Sequence, residues 1–200
     1  MSQVDSQWTS LPPPRTTSSV ALEEALARRR SVRALRSGVL EPATLGQLLW
    51  AAQGITDPAG LRTAPSAGAL YPLEIYVVTS TGIFHYRPEG HRIRLHRSGD
   101  QRGALREAAH GQEAVGDAAA VFVIASVDAR TAAKYGPQRA RRYVELEAGH
   151  AAQNLLLEAV ALGLGAVPVG AFSDDAVARV VGLTAGERPL YLIPVGRPRP

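Results

Sequence analysis

One compact domain that mixes helices and strands is what this chain of 200 residues predicts. Leu45, Leu48, Leu49 and Ala52 recur at the spacing of one helix face. Short apolar or alternating runs broken by turn residues follow, at 74–79, 82–87, 92–96 and 118–127, which is how strands read. A hydrophobic content of 46% over this length suits a single buried core, and no tandem repeat interrupts it.

Composition excludes several functions. No run reaches the roughly 18 apolar residues of a membrane helix, and MSQVDSQWTS lacks the basic and apolar regions of a signal peptide. A soluble cytoplasmic protein that binds no membrane is expected. The absence of cysteine fits a reducing compartment and removes disulfides, thiolate catalysis and cysteine-held metals. The formal charge is +4, yet the arginines are scattered apart from Arg28–Arg30 and Arg139–Arg142, with no aromatic-interleaved stripe, so no nucleic-acid partner is expected.

In chain order, residues 1–17 are polar and proline-rich and read as a flexible arm, leaving 18–200 as the domain. Ser19 suits the cap of a helix over Val20 to Arg30, with Glu23 and Glu24 near its positive end. Pro42 suits the first turn of a second helix, which Gly54 stops. Strands over Glu74–Thr79, Gly82–Arg87 and Arg92–His96 form a meander with turns at Ser80–Thr81 and Pro88–Gly90. Asp100 can cap a helix to His110, and Ala118–Val127 suits a central buried strand. Pro137 starts a long helix to Leu162, apolar or small on several faces and so buried all round, ended by Gly163 and Gly165. A strand over Ala166–Phe172, a short helix over Asp174–Val181 capped by Ser173, and a last strand over Leu190–Val195 complete the chain.

The candidate chemistry lies in a few stretches. Arg62–Pro72, RTAPSAGALYP, combines small residues that let backbone lie against a flat ligand with prolines that limit its movement. RRRSVR at 28–33 offers forked donors and a hydroxyl suited to a phosphate, the alternative being a solvated helix end. Arg197, at a strand end after Gly196, is phosphate-compatible in the same sense. Among 22 basic residues Lys134 is the only lysine, and lysine, unlike arginine, can lose its proton. Chance survival of one lysine is the competing explanation. Glu147 and His150 form a single ExxH, but a di-iron site needs a second copy and further glutamates, so no metal is expected and His150 reads as a core or interface residue. His85, His91 and His96 read as exposed side chains.

Taken together, RRRSVR, LLWAAQGIT (48–56), RTAPSAGALYPLEIYVV (62–78), KYG (134–136), RYVELEAGHAAQNLLLEAVALGLGAVPVGAF (142–172) and PLYLIPVGRP (189–198) resemble the nitroreductase superfamily of flavin enzymes. Within it they are similar to the SagB-type branch of azoline dehydrogenases. Most of residues 20–198 is covered, in the family's order. The resemblance implies an α+β fold, a mostly antiparallel sheet flanked by helices, in a homodimer with FMN at the subunit interface. By motif, Arg29, Ser31, Arg33 and Arg197 are implied to bind the flavin phosphate and ribityl chain. Pro65, Ser66, Ala67 and Gly68 are implied to pack on the ring from the partner subunit, and Gly170 and Ala171 to offer N–H groups near N5 and O4. Ala69 and Tyr71 stand where many nitroreductases have asparagine and glutamine, and Gly170 where they have glutamate; these departures favour the SagB-type branch.

Lys134 and Tyr135 match a Lys-Tyr pair that similar dehydrogenases use in proton removal. A lysine that burial keeps neutral could accept the proton, and a tyrosine could orient or relay it. The expected function is therefore oxidation of thiazoline or oxazoline heterocycles, borne on a peptide or small molecule, with hydride passing to flavin. An NAD(P)H-dependent nitro or quinone reductase of the same fold is the first rival. A flavin-binding partner subunit without turnover is the second, since the chain is short, shows no separate peptide-recognition domain and suits work inside a biosynthetic complex.

Overall fold

The computed structural model describes residues 7–199. Its elements run β1 (Thr9–Ser10), α1 (Leu22–Arg28), β2 (Leu35–Arg36), α2 (Pro42–Gln53), β3 (Leu73–Val78), β4 (Gly82–Arg87), β5 (Arg92–Ser98), α3 (Arg102–Ala108) and α4 (Glu113–Asp117). There follow β6 (Ala120–Val127), α5 (Asp128–Tyr135), α6 (Pro137–Ala161), β7 (Gly165–Ala166), α7 (Asp174–Val181) and β8 (Glu187–Pro198). The strands form one sheet in the order β1-β5-β4-β3-β6-β8-β2, with β7 also on β8, and every pairing between them is antiparallel. The α+β fold with a central antiparallel sheet flanked by helices is the one expected.

Alternation along the strands builds two apolar layers. Ile75, Val77, Phe122, Ile124, Ile193 and Val195 belong to a core that includes Leu48, Leu49 and Ala52 of α2 and Val144, Ala148 and Leu155 of α6. Tyr76, Val78, Val121, Val123 and Leu192 belong to a second core with Leu105, Val115 and Val177 of α3, α4 and α7. Each fully buried side chain of this size contributes about 1.5–3 kcal/mol of transfer free energy. Strand β6 lies inside the sheet, pairing with β3 on one side and β8 on the other.

Several elements differ from expectation for local reasons. Helix α1 is capped by Ala21 without a side-chain bond, while the Ser18 hydroxyl accepts from the Val20 N–H. The strand expected over Ala166–Phe172 shrinks to Gly165–Ala166 and a single bridge at Val169; Pro168, which has no N–H, stands between them. Helix α6 is buried on one face only, since Arg141, Arg142, Leu146 and His150 are exposed. His150 is thus no core residue. The three strand histidines are half-buried and partnered: His85 Nε2 meets Glu74 at 2.6 Å, His91 Nδ1 meets the Tyr86 hydroxyl at 3.0 Å, and His96 Nε2 lies 2.9 Å from the Gly182 carbonyl. The segment expected as a flexible arm is docked over Trp8–Arg15: β1 pairs with β5, Leu11 is buried, and Gln47 of α2 accepts from the Arg15 N–H at 2.8 Å. Residues 1–6 of that arm lie outside the described residues. No described helix is long and apolar enough to cross a membrane.

Candidate active site

After Gly54 the chain doubles back through a bridge between Ile55 and Arg62 and enters the small-residue loop. Ala67–Ala69 make one 3-10 turn, and Gly68, Ala69 and Tyr71 take left-handed backbone at φ +65°, +53° and +45°. Glycine adopts this freely; for alanine and tyrosine it costs roughly 1–2 kcal/mol each. Neighbours hold the strain in place. The Ser66 hydroxyl accepts from the Tyr71 N–H at 2.9 Å, the Tyr71 hydroxyl accepts from the Arg62 N–H at 3.2 Å, and the Arg62 guanidinium stacks 4.4 Å from the Tyr71 ring centroid. From α5, Arg130 donates to the Tyr71 carbonyl at 3.1 Å.

The loop's apex meets the other suspect of the sequence. A Cβ built on Gly68 would stand 2.8 Å from the Tyr135 hydroxyl and 3.0 Å from Lys134 Nζ. A methyl there would require the Tyr135 hydroxyl and the Lys134 ammonium to shift. Helix α5, which the sequence pattern did not reveal, carries this pair in its last turn before Gly136 turns the chain into α6. Tyr135 is held edge-on by Tyr143 of α6 at 5.0 Å, and Lys134 Nζ lies 5.4 Å from the Tyr135 ring centroid. Lys134 itself is exposed, so the burial expected to keep it neutral is not what the single protomer offers.

Beneath the loop lies a polar cluster that sequence reasoning passed over. Glu147 on α6 is 3% exposed and Gln53 at the end of α2 is 1% exposed. Gln53 accepts from Arg62 Nη1 at 3.0 Å, while Gln53 Nε2, Arg62 Nε and Glu147 Oε1 have no partner. Burial pushes the Glu147 carboxyl up to about 7, against the lowering influence of the neighbouring Ser66 and Gln53 side chains and the charge of Arg62. A carboxyl that changes charge near neutral pH therefore sits under Ser66. The lone ExxH was the only signal for Glu147, and it pointed to metal.

The basic segment is a separate cluster in the protomer. Ser31 bridges to Ala166, the Val32 N–H donates to the Ala166 carbonyl at 2.9 Å, and Arg36 stands opposite Arg197 in the β2–β8 pair. Among the described residues Arg29, Arg30, Arg33, Arg36 and Arg197 form no ion pair. Arg33 lines a hollow of about 400 Å³ with Val167, Asp117 and Arg199, whereas Arg197 lines a different one with Glu41 and Leu164. Arg199, fixed by Asp117 at 2.6 Å, is the arginine that shares Arg33's hollow. Its signal was the second arginine of GRPRP. Gly170 and Ala171 are exposed, and among the described residues their N–H groups donate to no protein acceptor. Within one protomer no hydrogen bond or ion pair joins Pro65, Ser66, Ala67 or Gly68 to Arg29, Ser31, Arg33, Gly170, Ala171 or Arg197 among the described residues.

The chain is similar to known proteins in sequence and fold. The family model described as "Nitroreductase family" matches residues 26–197. A Methanocaldococcus jannaschii protein named "Putative nitroreductase" is 43% identical over 184 residues, which is 89% of this chain and 91% of that protein. A crystal structure from Ralstonia eutropha, described in the same words, superposes with a TM-score of 0.87 at 30% identity, covering 96% of this chain and 90% of its own. The NADPH:FMN oxidoreductase of Vibrio harveyi, solved with NAD+, shares the fold at a TM-score of 0.67 and 22% identity, over 90% of this chain and 69% of its own.

Proposed function

The chain belongs to the nitroreductase family, and from that premise we propose that it is an FMN-dependent dehydrogenase, a homodimer that oxidises thiazoline or oxazoline rings of peptide-like precursors to azoles. Its relatives are oxidoreductases of that family. The residues present suit a flavin: Arg29, Arg33 and Arg197 without ionic partners among the described residues for the phosphate, a glycine at the loop apex, and two unengaged N–H groups. Arg29, Ser31 and Arg33, with Arg197 and Arg199 from the chain end, would hold the phosphate and ribityl chain. The separation of loop and arginine segment within one protomer supports a site completed by Pro65, Ser66, Ala67 and Gly68 of a second copy. Gly170 and Ala171 would donate toward the ring. When bound, FMN supplies the hydride acceptor.

Aromatising an azoline removes a hydride and, from the adjacent carbon, a proton; the protein's own share is the proton. Lys134 would accept it and Tyr135 would orient the donor carbon's neighbourhood or relay the proton. The convergence of Lys134 Nζ and the Tyr135 hydroxyl on Gly68 carries this reading. Covering by a second subunit or by substrate would supply the desolvation that the protomer lacks. Lys134→Ala should retain bound FMN yet oxidise azoline peptides at least about tenfold more slowly; unchanged turnover would remove the lysine from the mechanism.

A reductase of nitro compounds or quinones driven by NAD(P)H is favoured by the names its relatives carry. The visible spectrum before and after anaerobic NADPH or NADH separates the two readings. Rapid bleaching of the flavin bands selects the reductase; resistance to both, followed by bleaching with an azoline peptide, selects the dehydrogenase.

A further inference from the structure

A second polar hollow lies on the sheet, away from the basic segment, where the docked arm crosses the strand ends. Trp8 continues β1 and stands over the row Arg94–His85–Tyr76, three residues that face one another across β5, β4 and β3. Its ring centre is 5.0 Å from the guanidinium carbon of Arg94, 5.1 Å from that of Arg87 and 5.3 Å from that of Arg92. One indole thus roofs three arginines. Below it a hollow of about 280 Å³, at the lower end of the small-molecule range, reaches Arg62 of the loop and Arg130 of α5.

The charges in this hollow are unbalanced. Four guanidiniums, those of Arg62, Arg87, Arg94 and Arg130, line it with only two carboxylates, Glu74 and Glu89. Glu74 is taken by Arg130 and by His85, and Glu89 by Arg62 at 3.3 Å, leaving Arg94 with no ionic partner among the described residues. Unmet donors mark the same walls. Gln53 is 1% exposed and its Nε2 has no acceptor, and Arg62 Nε is likewise buried and unpartnered. Orphaned buried donors are costly, and the two of Gln53 and Arg62 beside one positively charged hollow call for a shared acceptor.

We propose that this hollow, roofed by Trp8 and centred on Arg94, binds a small anion through a carboxylate or phosphate group. The group would bridge Arg94 to the unmet donors, and the indole would cover it from water. The site is independent of the flavin reading: its residues are distinct from Arg29, Ser31, Arg33, Arg197, Gly170 and Ala171. Two of its walls touch the loop, however, since Arg62 stacks on Tyr71 and Arg130 holds the Tyr71 carbonyl. An occupied hollow therefore bears on the loop that meets Lys134.

The test is calorimetric titration of the full chain with inorganic phosphate and, separately, with succinate, in the wild type and in Arg94→Gln, Trp8→Ala and Arg33→Gln. Saturable binding of either anion, weakened at least about tenfold by Arg94→Gln and retained in Arg33→Gln, is the expected result. The anion that binds more tightly identifies the group. In Trp50→Phe, where Trp8 is the one remaining indole of two, the same anion should shift its fluorescence. Binding lost in Arg33→Gln but kept in Arg94→Gln would assign the anion to the basic segment and overturn the proposal. So would no saturable binding, or binding seen only in Asp5→Asn, which would make the chain's own carboxylate the occupant.

Discussion

Strand β6 and the loop Arg62–Pro72 represent opposite uses of sequence. Every residue from Ala120 to Ser126 is buried, and each side of the strand is paired. The loop carries two non-glycine residues in left-handed backbone, sits over three unpartnered buried polar atoms, and leaves its apex exposed. Stability is concentrated in the sheet, and that surplus tolerates strain in the loop that meets Lys134 and Tyr135. The two regions should therefore respond to mutation in different observables.

The largest effect belongs to the strand. Phe122→Ala, at a side chain with no exposed surface, should lower unfolding free energy by about 3–5 kcal/mol in a denaturant titration while leaving the residues of the site in place. A loss below about 1 kcal/mol would mean that the core closes around the gap.

Glu147 should come next. Its folded carboxyl titrates near 7, above the 4.5 of an unperturbed glutamate. Below 4.5 both folded and unfolded states hold the proton; as pH rises toward 7 only the unfolded state releases it, so folding loses about 3 kcal/mol over that interval and no more above it. Glu147→Gln should flatten this slope, and parallel pH–stability curves for the two proteins would show that the carboxyl is not held protonated.

Gly68→Ala should sharpen the contrast further. Its methyl meets the Tyr135 hydroxyl and Lys134 Nζ, and its φ of +65° strains alanine, so about 1–2 kcal/mol of stability and at least about tenfold in turnover should go together. Ala69→Gly is the mildest. Relief of left-handed strain should raise stability by roughly 1 kcal/mol, and unchanged turnover would show that the strain has no part in it.

Much of the frame was legible because it obeys simple periods. Pro42 and Gly54 bracket α2, Pro137 opens α6, and the unbroken apolar run predicts β6. What escaped lacks a period or depends on distant partners. Strand β2 and strand β7 are two residues each, and α5 is polar enough to look like a loop. The candidate site was half visible: composition singled out both the loop and Lys134. Their meeting at Gly68 is a tertiary fact, as is the burial that turns Glu147 from a surface-looking glutamate into a neutral-range acid. Arg199 was hidden for another reason. Being beyond the last strand, it gains its place from distant partners: its N–H donates to the Ala34 carbonyl and its guanidinium to Asp117, eighty-two residues earlier.

The short strand β1 also settles how this sheet ends. Without it, β5 would present its whole outer row of amide and carbonyl groups, an open template for another chain's strand. Two residues of cover are little, yet the strand beneath them reads Arg-Ile-Arg-Leu-His-Arg-Ser, and every copy stacked edge to edge would bring those arginines against their own kind. The same charges that gather under Trp8 thus act as gatekeepers against fibrous self-association.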